Sequence, residues 1–87
     1  MGALPVSHST FRLRRLAVRA MRSGQRCLDR CDYATAGEVI DLAADLAEEL
    51  ADHLEVSGPE QAAKWRLIAR LRRHWAAEAD TLALTAS

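Results

Sequence analysis

The chain is short of almost everything that interrupts a helix. Two prolines and four glycines are spread over 87 residues. Cysteine is equally scarce. Cys27 and Cys31 allow one disulfide at most, which excludes a disulfide-stapled scaffold and makes a reducing, cytoplasmic compartment the default. No apolar run approaches the ~20 residues needed to cross a bilayer. The early residues lack the basic start and apolar core of a secretory signal, and Val6 stands where myristoylation requires a serine or threonine. Net charge is absent too: twelve basic residues balance twelve acidic ones, so the chain as a whole is no magnet for nucleic acid. Aromatic residues are limited to Phe11, Tyr33, Trp65 and Trp75.

What remains is rich in alanine, the strongest helix former, which lets helices approach closely while burying little area. Apolar residues make up 49% of the chain, too many for a disordered segment. The length suits one domain with a modest core, for which oligomerisation is a common support. The expected fold is all-α: three amphipathic helices in a small antiparallel bundle, with dimerisation as a means of completing it. Residues 1–8 read as an arm, residues 9–84 as a single helical domain and residues 85–87 as a frayed tail. The helices are expected at about 10–31, 36–56 and 58–83.

In the first helix, Ser9 or Thr10 can cap the start. Leu13, Leu16, Ala17, Ala20, Gly24, Cys27, Leu28 and Cys31 then recur at helical spacing. Gly24 weakens the helix but admits a close neighbour; alternatively, Ser23-Gly24 breaks the helix in two. Residues 8–28 are rich in arginine and free of acids, a pattern shared with organellar transit segments. The continuation of the apolar stripe through Cys31 favours a folded helix instead.

Thr35 followed by Glu38 forms a capping-box pattern that starts the second helix. Its apolar positions, from Val39 to Leu54, cover an arc of roughly 200°, more than a single partner needs, so two or more neighbours are expected. Ser57-Gly58-Pro59-Glu60 supplies a capping serine, a first-turn proline and a box glutamate for the third helix, and the short connection predicts an antiparallel hairpin. In the third helix, Trp65, Ile68, Leu71, Trp75, Ala79 and Leu82 share the face expected in the core, with Ala69, Ala76 and Leu67 beside it and Arg66, Arg70 and Arg73 opposite. Lys64 and Arg72 fall at its edges, their stems covering the core and their charges reaching water.

Charge is sorted by helix. Residues 1–34 hold seven arginines and two aspartates; residues 35–56 hold seven acids and no lysine or arginine; residues 57–87 hold five basic and three acidic residues. Intramolecular pairing between the acidic helix and its basic neighbours is one reading, worth ~0–1 kcal/mol per exposed pair. Yet Arg12, Arg15, Arg19, Arg22 and Arg26 lie opposite their own apolar stripe, and the acids of the second helix lie opposite theirs. That placement favours two outward surfaces of opposite sign. Arg12, Arg15, Arg19, Arg22, Arg26, Glu48, Asp52, Trp65 and Arg72 are therefore the candidate partner-binding residues, the tryptophan and arginines because such residues concentrate binding energy.

Candidate chemistry is sparse. Cys27 and Cys31, one turn apart, could give two thiolates to a metal if His53, His74 or a second copy completed the set; the alternative is that both are small buried hydrophobes. The spacing is not that of a Cys-x-x-Cys redox motif. His8, His53 and His74 form no constellation, and there is neither a nucleophile-base-acid arrangement nor a phosphate-cradling glycine loop. No cofactor and no catalysis are expected. The leading functional expectation is a helical interaction module, an adaptor, regulator or self-assembling bundle that binds a partner protein or its own second copy as a homodimer. One alternative is a nucleic-acid-binding regulator using the arginine face, disfavoured by the acidic helix and by the lack of aromatics among the arginines. The other is a metal-binding bundle using the cysteine pair.

Overall fold

A computed structural model describes the backbone of residues 3–86 and the side chains of residues 9–86. Three helices follow one another: α1 (Ala3–Asp29), α2 (Tyr33–Leu54) and α3 (Pro59–Ala86). They form an antiparallel three-helix bundle, 54 × 18 × 13 Å along its principal axes, as the periodicity predicts. α2 lies in the middle and packs against both neighbours, whereas α1 and α3 touch each other only lightly. The wide apolar arc of α2 thus has its two partners within one chain. Nine of its residues are buried, from Ala36 to Leu54, and five of them are alanine.

The ends of the helices differ from expectation in informative ways. Ala3 to His8, expected as an arm, are helical, with Pro5 in the first turn, where its missing N–H has no intrahelical acceptor to lose. Residues 1 and 2 of that arm, and Ser87 of the tail, lie outside the described residues. Ser23-Gly24 does not break α1, which runs through it. α1 ends before Cys31, which takes a left-handed φ of 59°. Asp32 N donates to Cys27 O and Cys31 N to Leu28 O, both at 2.9 Å. These are the paired bonds of a Schellman cap, with cysteine where glycine is usual.

α2 then starts a turn earlier than the Thr35–Glu38 pattern suggests. Asp32 is its cap, accepting from Thr35 N at 3.4 Å. A carboxylate favours the positive end of the helix dipole, so Asp32 takes the place expected of Thr35. Ser57 likewise gives way to Gly58. Gly58 N donates to Leu54 O at 2.8 Å, closing α2, and its own carbonyl accepts from Ala62 N at 2.9 Å, opening α3.

The core falls into two clusters. At one end Leu13 of α1 meets Leu50, Ala51 and Leu54 of α2 and Ala62 of α3, with Leu46 and Trp65 packed alongside. At the other, Cys27 meets Ala36, Ile40, Ala76 and Ala79, with Met21 and Leu28 beside them. Between them lie Ala17, Ala43, Ala44, Ala47 and Ala69, all fully buried, and the buried Arg72. Helices lined this way come close. A Cβ built on Gly24 would lie 2.5 Å from Ile40 Cγ1, so α1 approaches α2 only because position 24 is glycine.

The buried face of α3 is a correction. Ala62, Ala69, Arg72, Ala76 and Ala79 are buried, while Leu71, Trp75 and Leu82, expected inside, are 45%, 44% and 46% exposed. The helix is turned by roughly 80° from the expected orientation. Two physical causes fit. Small residues on α3 match the alanine face of α2 at close range, and the same rotation brings Arg66 and Arg73 onto the acids of α2.

Candidate interaction surface

Arg12, Arg15, Arg19, Arg22 and Arg26 are all exposed on α1. Their spacing of three and four residues keeps them in one row along about 21 Å of helix. None of them enters an ion pair among the described residues. Arg15 stands 6.0 Å from the centre of the Phe11 ring, which is itself 60% exposed. Two shallow depressions run along the row, one lined by Phe11, Arg12, Arg15, Leu16 and Arg19 and the next by Leu16, Arg19, Ala20, Arg22, Ser23 and Arg26. The row thus combines cations with an apolar edge at Phe11, Leu16 and Ala20.

The acids of α2 are differently placed. Arg73 of α3 reaches Asp41 at 3.1 Å, Asp45 at 2.8 Å and Glu48 at 3.0 Å. Arg66 reaches Asp52 at 3.0 Å and also Glu55. Hydrogen bonds that Arg73 donates to Asp45 and Glu48 push it above its ordinary value, and those that Arg66 donates to Glu55 and then Asp52 do the same for Arg66. Five of the seven acids in residues 35–56 are therefore held by their own α3. Glu48 and Asp52, expected to face a partner, are among the five. The two outward stripes are therefore not equivalent: most of the acids are stapled to α3, whereas the α1 arginine row enters no ion pair among the described residues.

Arg72 is a second correction. Its guanidinium does not reach water as expected. The residue is 7% exposed, and Nη1 donates to Ala43 O at 2.9 Å and Ala17 O at 3.1 Å. The guanidinium carbon also lies 5.8 Å from the centre of the Trp65 ring. Burial pushes its pKa down. Trp65 is part-buried against the Leu13–Leu50 cluster. Arg72 and Trp65 are thus internal partners of each other rather than part of the exposed arginine row. No buried side-chain nitrogen or oxygen among the described residues lacks a partner.

The cysteines part company. Cys27 is buried in the core and receives a 3.9 Å contact from Arg30, while Cys31 is turned out by its left-handed backbone and is exposed. They share no face from which both could ligate one ion. His53 is exposed on α2, and His74 lies 3.5 Å from Glu78 on α3; the side chain of His8 lies outside the described residues. Among the described residues no three His, Cys, Asp or Glu side chains gather as metal ligands would, and no helix is long and apolar enough to cross a membrane.

The surface that sequence reasoning missed is the bulky side of α3. The seven-residue recurrence of Ala62, Ala69 and Ala76 was the available signal, since small residues in a heptad register mark a close-packed face. No family model matches this chain, and neither a curated protein nor a solved structure matches it.

Proposed function

We propose that the protein is a small helical binding module whose α1 arginine row docks an acidic segment of a partner protein. One observation carries this reading: five exposed arginines in a single row pair with no carboxylate among the described residues. A helix with carboxylates at intervals of three and four residues repeats its charge every ~5 Å, the same average repeat as the row. Phe11 and Leu16 beside the row give such a helix an apolar edge to cover. The α2 acids of a second copy are a poorer match, because Arg66 and Arg73 already occupy them. The role is binding rather than catalysis, in a compartment that keeps Cys27 and Cys31 reduced.

Duplex DNA is the competing occupant, since a row of arginines also neutralises phosphates. Fluorescence anisotropy separates the two. The probes are a helical peptide with glutamates at positions i, i+3, i+7, i+10 and i+14, the same composition scrambled, and a generic duplex. The expected result is preference for the patterned peptide and at least tenfold weaker binding after Arg12→Glu, Arg19→Glu and Arg26→Glu together, with unchanged helicity. Equal binding of the scrambled peptide, indifference to the charge reversal, or tighter binding of the duplex would overturn the proposal.

A further inference from the structure

The exposed side of α3 has a pattern of its own. Half-buried Ile68 and exposed Leu71, Trp75 and Leu82 recur at intervals of three, four and seven residues and lie in one stripe, centred roughly 100° round the helix from the buried alanine face. Lys64 and Glu78 lie in the same stripe. Each stands seven residues from Leu71, one on either side. Leu67, 53% exposed, flanks it. Both charged residues are exposed; Lys64 enters no ion pair among the described residues, and Glu78 is paired only with His74, at 3.5 Å. Between Lys64 and Glu78 the stripe is thus an apolar segment of Ile68, Leu71 and Trp75 with a cation at one end and an anion at the other, the charges equidistant from Leu71, while Leu82 lies beyond the anion and outside the symmetric segment.

We infer that this stripe is the seam of an antiparallel homodimer, with the two-fold axis passing at Leu71. Antiparallel apposition sets Lys64 of each copy against Glu78 of the other, giving two opposite-charge pairs at the ends of the seam. Leu71 then meets Leu71, and Leu67 and Ile68 of one copy straddle Trp75 of the other. Parallel apposition at the same register sets Lys64 against Lys64 and Glu78 against Glu78, and like charges face to face are unfavourable. The charge pattern therefore selects one orientation. The symmetry also fits what a two-fold interface requires, a patch complementary to itself. Tryptophan is among the residues that concentrate energy at such seams, and here Trp75 gains a cover that its own chain does not supply. The seam lies on α3 and does not depend on the arginine row of α1.

The test uses the full chain. Light scattering across a micromolar-to-millimolar range is expected to show a monomer–dimer equilibrium. Lys64→Glu is expected to weaken dimerisation at least tenfold, and the double variant Lys64→Glu with Glu78→Lys to restore it to within about threefold. In a Cys31→Ser background, oxidised Leu71→Cys is expected to form a covalent dimer, whereas Ile68→Cys and Trp75→Cys cross-link with each other when mixed and not with themselves. A strict monomer at millimolar concentration would overturn the inference. So would self-cross-linking of Ile68→Cys, which marks a parallel seam, or a dimer indifferent to both the charge reversal and Trp75→Glu, which places the seam elsewhere. Circular dichroism of each variant separates loss of the dimer from loss of the fold.

Discussion

Arg72 of α3 donates to the backbone carbonyl of Ala17 in α1, 3.1 Å away, and so joins two helices that otherwise touch only lightly. The same nitrogen donates to Ala43 of α2. One side chain therefore ties all three helices at the level where the two core clusters part. Both carbonyls sit inside helices and accept from the amide four residues on; Arg72 uses their second lone pair.

That detail decides how substitutions at position 72 should rank. Removing the guanidinium leaves no carbonyl unpaired, so Arg72→Met, which refills the volume and buries no charge, should stay within about 1 kcal/mol of the parent. Arg72→Ala opens a cavity and should cost about 2–4 kcal/mol. Arg72→Lys keeps the charge, loses the fork and should cost about 1–3 kcal/mol. Urea denaturation measures all three. A methionine variant less stable than the alanine one would show this account of the site to be mistaken.

Gly24 and Ile40 give a coupled pair. Alanine is worth about 1 kcal/mol more than glycine in a helix interior, yet its Cβ would collide with the fully buried Ile40. Overpacking of this kind costs about 1–3 kcal/mol, so Gly24→Ala should be destabilising overall. On an Ile40→Ala background the collision is gone and the same change should be neutral or stabilising. The thermodynamic cycle reads the coupling directly.

Arg73 holds three carboxylates, all more than half exposed. Exposed pairs are weak, and Arg73→Gln should cost no more than about 1–1.5 kcal/mol, part of it repulsion among Asp41, Asp45 and Glu48 once their cation is gone. Repulsion and attraction alike are screened by salt. The loss should therefore shrink in 1 M sodium chloride; a loss independent of salt would point to packing of the arginine stem instead.

Cys31 supports two readouts from one substitution. Its left-handed backbone suits glycine, so Cys31→Gly should stabilise the fold by about 0.5–1 kcal/mol. A hydrogen bond to Cys31, and then the charge Cys31 carries when ionised, hold Tyr33 above its ordinary value of 10.0. Tyr33 is the only tyrosine, so ultraviolet titration sees it alone. The titration should move down towards that ordinary value in Cys31→Gly. The sign for stability follows: a raised tyrosine favours the fold at neutral pH, and that contribution is lost as pH climbs through the folded value in the alkaline range.

Much of this was legible before the structure, and the pattern of success is physical. Three helices follow from periodicity and from the near absence of proline and glycine. The arginine row follows as well, because a face that meets only water needs no knowledge of its neighbours. The orientation of α3 does not follow. Leu71 and Trp75 make the stronger apolar stripe by side-chain size, but the face that packs is set by what α2 offers, an alanine surface bordered by acids. Arg72 was misplaced for the same reason, since nothing local distinguishes an arginine that snorkels from one that finds two carbonyls. The cap of α2 moves from Thr35 to Asp32 because α1 ends at the left-handed Cys31, which the local pattern around Thr35 does not reveal.

The central position of α2 has a dynamic corollary. The α2–α3 hairpin carries all the ion pairs among the described residues, whereas α1 is tied to α3 through Arg72 and through Arg14, which donates to Gln61 at 3.3 Å. Detaching α1 costs fewer polar links than opening the hairpin, so its amides should exchange with deuterium ahead of those in α2, as a separate cooperative unit. The helix bearing the arginine row would then be the one that lifts away most readily, and an acidic ligand that holds it down would register as slowed exchange far from the contact, along the inner face of α2.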